Sequence, residues 1–244
     1  MAEITALPAD NIRDALDAEF RPVADRARDP IEDPEAILRA AAIARGMRVV
    51  DLRAGDGYLS QLLVVAVHRY GRVWANNDPA SLDARTAAAW KTRLEDPSSG
   101  DIARLDLALT SPLPAYAVRI DILYSRGAYH DAVARGVDRS AMNKAVFEAL
   151  APGGRYLIID ARADDHADPV AASALCRVPE TLVRSEVEAA GFQLVKASTS
   201  LRVKTDPAAS AACQFPAAER IDRFLLVYEK PGGNAQQDQP RSPK

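Results

Sequence analysis

Cysteine is nearly absent: the 244 residues contain only Cys176 and Cys213. Two are too few for a disulfide framework and lack metal-ligand spacing, so a reducing compartment is the expected setting. An excess of charge is missing too. The 31 basic residues face 34 acidic ones, a net charge of −3, which leaves no basic field to attract nucleic acid. No apolar run reaches about 18 residues, so no membrane-spanning helix is expected. The opening stretch MAEITALPADNIRDALDAEF carries acids early and has no apolar core. No secretory signal is therefore expected, and the expected location is cytoplasmic. Internal repeats are missing as well. Aromatic residues make up only 6%, and the two tryptophans, Trp74 and Trp90, read as packing residues rather than stacking platforms.

What is present suffices for a core: 48% of residues are hydrophobic and 27% charged. The length suits one α/β domain with additions. Residues 9–28 repeat apolar positions at helical spacing. Asp33-Pro34 reads as a cap and a first-turn proline, opening a helix over PEAILRAAAIA that Gly46 ends. Strands are expected at MRVVDL, GRVWANN, IARLDLAL, RIDILYS, RYLIIDA, FQLVKAST and IDRFLLVYEK. Helices are expected at YLSQLLVVAVHRY, SLDARTAAAWKTRLE, DRSAMNKAVFEAL (capped by Asp138) and PETLVRSEVEAAG. This alternation predicts a doubly wound, mostly parallel seven-stranded α/β sheet with an antiparallel edge hairpin. Residues 1–33 form an N-terminal helical extension, 34–231 the α/β domain, and the polar, proline-rich 232–244 a disordered tail.

The stretch VVDLRAGDGY, residues 49–58, carries the first chemical signal. A strand that turns into a helix leaves backbone N–H groups pointing outward at the helix start, and glycines there allow close approach and positive φ. In open α/β sheets, ligands settle beyond the carboxyl ends of the strands. Yet Arg53 stands where a further glycine would be expected, and Asp56 separates Gly55 from Gly57. If position 53 requires positive φ, a non-glycine residue there costs about 1 kcal/mol or more. An Arg53–Asp56 pair would neutralise both charges; otherwise both side chains point to solvent.

Three stretches together resemble the class I S-adenosylmethionine-dependent methyltransferases: VVDLRAGDGY, then RIDILYS with an acid near its start, then LAPGGRYLIID. More narrowly, RPVADRARD, AYHD, DRSAMNKAVFEALAPGG and LVRSEVEAAGF are similar to a bacterial group of predicted methyltransferases, over roughly residues 20–230. The resemblance implies a Rossmann-like fold, S-adenosyl-L-methionine as cofactor, and methyl transfer to a small or medium organic substrate. It implies no nucleic-acid or membrane partner and leaves the oligomeric state open. It assigns Asp51, Arg53, Gly55, Gly57 and Tyr58 to the cofactor turn, where Asp51 either orients the loop or meets the cofactor's ammonium. Asn77 or Asp78 would hold the ribose hydroxyls, although "NNDP" also reads as a simple Asx turn. Asp106 would lie near the adenine edge or be an exposed strand residue.

Ser125, Arg126, Tyr129 and His130 follow the fourth strand, where a transferable methyl would be presented. His130 is the candidate general base, with Asp131 orienting it, or else a loop histidine that packs locally. Asn143 either bonds this loop or faces solvent. ADDHADP, around His166, reads as a solvated lid loop rather than a metal site. Substrate walls are expected from residues 9–45, 126–137 and 162–180. Two other functions remain open. Arg53, Asp56 and Asn77 suit a non-catalytic relative of the fold with weakened cofactor binding. A nicotinamide-dependent oxidoreductase would need a small residue at Ser60, and LAPGG speaks against it.

Overall fold

Val49, Val50 and Leu52 have no exposed surface, because they lie on the central strand β1 (Arg48–Leu52) with a helical layer on each side. The computed structural model describes residues 10–208, 210–213 and 219–232. The other strands are β2 (Arg72–Asn76), β3 (Ile102–Leu105), β4 (Ile120–Arg126), β5 (Leu150–Ala163), β6 (Val178–Pro179), β7 (Gln193–Ser198) and β8 (Arg223–Glu229). Their order is β3-β2-β1-β4-β5-β8-β7, with the two-residue β6 paired to β5 off this path. Strands β1 to β5 run parallel, and β8 lies antiparallel between β5 and β7. The sheet is thus the mostly parallel one that the alternation predicts, with its reversed strand near one edge.

The helices are α1 (Asn11–Asp17), α2 (Val23–Arg26), α3 (Asp29–Glu32), α4 (Pro34–Ala41), α5 (Tyr58–Val67), α6 (Ala84–Glu95), α7 (Ala128–Ala134), α8 (Arg139–Ala149), α9 (Pro169–Ser173) and α10 (Glu180–Ala189). Leu59, Leu62, Leu63 and Ala66 of α5 pack on one sheet face with Ile37 and Leu38 of α4. Met142 and Val146 of α8 pack on the other with Val183 and Val187 of α10. The chain leaves β1 in one direction through β2 and β3, then returns to β4 on its other side. That switch opens a crevice between the carboxyl ends of β1 and β4.

Several expectations are corrected. The helix expected over 9–28 is broken into α1 and α2, because Pro22 forces the preceding residue out of helical geometry and lacks an N–H. Helix α4 does start at Pro34 behind Asp33, whose carboxylate accepts from the Ala36 N–H. It ends at Ala42 (φ 52), and Gly46 (φ 84) serves the turn into β1 instead. The third strand stops at Leu105, short of Asp106. Residues 128–134, expected as loop, form α7. The two cysteines, expected in a reducing setting, are joined as a disulfide. The fold brings their Cα atoms to 5.2 Å, within reach of such a bond, although 37 residues separate them in sequence. The tail expected as disordered lies, from residue 233 onward, outside the described residues.

Candidate functional site

The turn after β1 has the expected backbone. Arg53 (φ 64), Gly55 (φ 62) and Gly57 (φ 81) are all left-handed, so Arg53 bears the strain that glycine would avoid. The two glycines serve different ends. A Cβ on Gly57 would come within 2.4 Å of the Trp90 ring, so this glycine lets α5 and α6 approach. A Cβ on Gly55 would meet nothing within 4 Å, and Gly55 borders the crevice. Asp51 is buried beneath the turn and accepts from Ser60 Oγ at 2.6 Å. Burial pushes its carboxyl up to about 6, against the pull of that hydrogen bond.

At the end of β2 the polar groups are turned onto the backbone. Asn77 is fully buried. Its Oδ1 accepts from the Gly55 N–H at 2.8 Å and its Nδ2 donates to the Gly55 carbonyl at 3.0 Å. The carboxylate of Asp78 accepts from the Ala80 N–H at 2.9 Å, the Leu109 N–H at 3.2 Å and Arg135 at 2.9 Å. Asp106 pairs with Arg104 at 2.8 Å on the surface and does not border the crevice. Tyr58 is buried, with its hydroxyl donating to Asp29 at 2.6 Å and Arg28 over its ring at 4.3 Å.

The β4–β5 end is arranged differently. His130 Nδ1 lies 2.6 Å from Asp160 Oδ1, and the His130 backbone N–H donates to Oδ2 at 3.0 Å. Asp160, near the end of β5, is buried; it closes the stretch LAPGGRYLIID, which the sequence reading takes for its turn and strand, giving the acid no role. It takes the orienting role expected of Asp131, which instead bonds Arg135 at 3.2 Å. A carboxylate only accepts, so Nδ1 carries a proton, and in the neutral ring Nε2 is then the acceptor. Tyr129 does not join this group. One residue along a helix is about 100° around its axis, and Tyr129 points into the core, where Asn143 Nδ2 donates to its hydroxyl at 2.6 Å. Ser125 is likewise buried within β4.

Arg53 lies across the turn from His130. A Cβ on Gly127 would sit 3.1 Å from both Arg53 Nη1 and His130 Cε1, so the missing side chain leaves room for the two to meet. Neither alternative left open for Arg53 and Asp56 holds: Asp56 pairs with Arg28 at 2.7 Å, and Arg53 lines the cavity. Arg126 points to Glu32 of α3 at 2.9 Å, and Arg223 of β8 reaches the same carboxylate oxygen at 2.9 Å. Burial alone would raise the Glu32 carboxyl, but Arg126, Arg223 and Arg28 bring it down to about 2. This triad fastens the N-terminal helices over the crevice. The space beneath has a volume of about 200 Å³ and is walled by Arg53, Gly55, Leu82, His130, Ile159 and the Cys176–Cys213 bridge, among others. His166 is exposed, and among the described residues no three His, Cys, Asp or Glu side chains are placed to hold a metal ion. No described helix is long and apolar enough to cross a membrane.

No protein-family model matches the chain, nor does any curated protein. Solved structures do match. A SAM-dependent methyltransferase from Aquifex aeolicus shares 16% identity over 87% of this chain and 100% of that chain, with a TM-score of 0.61. The glycopeptide N-methyltransferase MtfA, complexed with S-adenosyl-L-methionine, shares 17% over 82% and 93%, with a TM-score of 0.56. The [4+2]-cyclase SpnF shares 16% over 86% and 82%, with a TM-score of 0.59. At such identities the likeness establishes the fold: the chain has the Rossmann-like fold found in S-adenosylmethionine-dependent methyltransferases.

Proposed function

We propose that this chain binds S-adenosyl-L-methionine in the crevice and catalyses methyl transfer to a small or medium organic acceptor. The observation that carries the reading is the His130–Asp160 pair beside an open glycine turn, in one cavity at the strands' carboxyl ends. The cavity suits the cofactor. Gly55 leaves open space where a side chain would stand, and Ser81, Leu82 and Thr86 border the same cavity, so these residues would hold the nucleoside end. The ribose contacts expected of Asn77 and Asp78 are not part of the proposal, because both side chains are engaged by protein N–H and C=O groups. When bound, the cofactor supplies a methyl group already activated by its sulfonium.

The chain's own residues then have three tasks. Asp160 fixes the His130 tautomer, so that Nε2 can take a proton from the acceptor. Glu32, with Arg126 and Arg223, keeps α3 over the cavity and excludes water. Gly127 keeps His130 and Arg53 within reach of one ligand. Isothermal titration with S-adenosylmethionine and S-adenosylhomocysteine tests the reading. Saturable heat is expected; no heat and no thermal shift at millimolar cofactor would overturn it.

The engagement of Asn77 and Asp78 also favours a second reading, a non-catalytic protein of the same fold with weakened cofactor binding. On that reading the wild type fails to bind S-adenosylhomocysteine, and Arg53→Gly gains binding.

A further inference from the structure

Among the described residues, the cations around the cleft differ in how closely acids match them. Arg126 and Arg223 share Glu32, Arg28 pairs with Asp56, and Arg135 bonds Asp78 and Asp131. Arg53 differs. Its nearest carboxylate, Asp131, lies 3.9 Å away, beyond hydrogen-bond reach and engaged by Arg135. Its Nε is buried without a hydrogen-bond partner, as is that of Arg223, but Arg223 also bonds Glu32 through Nη1 at 2.9 Å. Buried donors are paired in the great majority of cases, so an unpaired one in a cavity wall requires an explanation. The backbone adds a second observation: Arg53 holds a left-handed conformation that glycine would adopt without strain.

We propose that Arg53 is the carboxylate receptor of this cleft, and that the acceptor substrate is a small carboxylic acid with an O–H or N–H group that reaches His130 Nε2. A guanidinium fork matches the two oxygens of a carboxylate. One arginine with a single long ion pair suits a monoanion better than a phosphate dianion. Arg53 Nη1 and His130 Cε1 flank one point above Gly127, so a compact ligand can touch both. Ile159, Ala161, Ile221 and the disulfide bridge line the same cavity and suit an apolar carbon frame. The inference rests on the proposed function only for the role of this acid as methyl acceptor.

Carboxylate chemistry has two sources here, the substrate and the cofactor's amino-acid end, and the experiment separates them. Wild type, Arg53→Gln and Arg53→Lys are titrated calorimetrically with salicylate and 4-hydroxybenzoate and with their neutral amides, with S-adenosylhomocysteine present and absent. The wild type should bind the acids at least about tenfold more tightly than the amides, a difference of about 1.4 kcal/mol. Arg53→Gln should erase the preference and Arg53→Lys keep part of it. Equal binding of acid and amide, no binding of either acid, or an unchanged preference in Arg53→Gln overturns the proposal. Should Arg53→Gln not fold, the wild-type ratio and the Arg53→Lys titration decide. In the cofactor arm, S-adenosylhomocysteine is compared with 5′-methylthioadenosine, which lacks the amino-acid end. If Arg53→Gln weakens only the former, the receptor serves the cofactor and the acceptor assignment falls. Failure of the wild type to bind S-adenosylhomocysteine while preferring the acids would remove the proposed function and leave the receptor standing.

Discussion

At the β1–β2 end of the cleft the polar side chains are turned inward on the backbone, whereas at the β4–β5 end they border the cavity. Asn77 spends both amide atoms on Gly55, and Asp78 spends its carboxylate on two N–H groups and Arg135. His130, on the helix after β4, instead borders the cavity, and Arg53, on the turn after β1, reaches across to the same point above Gly127. Polar side chains beyond the strand ends are thus turned onto the backbone in one place and face the cavity in another. What decides is whether the local backbone already offers them partners.

The largest test concerns the β4–β5 end. Under the proposed reaction His130→Ala should lower kcat by about 10²–10⁴-fold, while the affinity for S-adenosylhomocysteine stays within about twofold. Steady-state kinetics with any accepted substrate, set beside calorimetry, reads both. Unchanged turnover would place the chemistry elsewhere.

Glu32 joins the N-terminal cover to both β4 and β8. Glu32→Ala leaves buried arginines uncompensated and should cost about 3–5 kcal/mol in urea or thermal unfolding. A loss under about 1 kcal/mol would mean that the cover is held by packing. The pH dependence follows from the same group. Its folded-state pKa is depressed to about 2 from 4.5, so its stabilisation, about 3 kcal/mol, is complete above the ordinary value and lost as pH falls toward 2. Asp51 acts in the opposite sense. Its folded-state pKa is raised to about 6 from 3.8, so its contribution declines as pH rises through that interval. The stabilities of wild type and Glu32→Gln should therefore differ most above about pH 4.5 and converge as pH falls toward 2.

A smaller effect probes the scaffold end. Asn77→Asp replaces the amide donor by an oxygen facing the Gly55 carbonyl and should destabilise by about 1–3 kcal/mol. If it instead raised cofactor affinity at no cost in Tm, the β2 end would be a recognition surface and the contrast would fail. The smallest effect is that of Arg53→Gly. Relief of the left-handed strain is offset by the entropy of glycine in the unfolded chain, so stability should change by no more than about 1 kcal/mol.

The sheet was legible because apolar strands alternate with helices whose caps are written locally: Asp33, Asp83 and Asp138 each accept from an N–H three residues on. The positive φ at Arg53 could also be anticipated from the turn pattern. Asp160 could not, because its partner is 30 residues away and only the parallel pairing of β4 with β5 brings them together. Helix α7 was hidden by its length, seven residues, too short for a clear periodic signal. The reassignment of Asn77 and Asp78 depended on where a neighbouring backbone turns, and that information is absent from residue type. Tyr129 and His130 are adjacent in sequence but helical rotation sends them to opposite environments.

The Glu32–Arg223 contact spans 191 positions, so the first folded segment of the chain waits for nearly the last. A chain that has reached β4 already holds Glu32 through Arg126, yet the second arginine on that carboxylate oxygen arrives only when β8 is in place beside β5. The cover over the cleft thus depends on a residue far downstream, and truncation ahead of Arg223 would leave Glu32 with Arg126 but without its partner on β8.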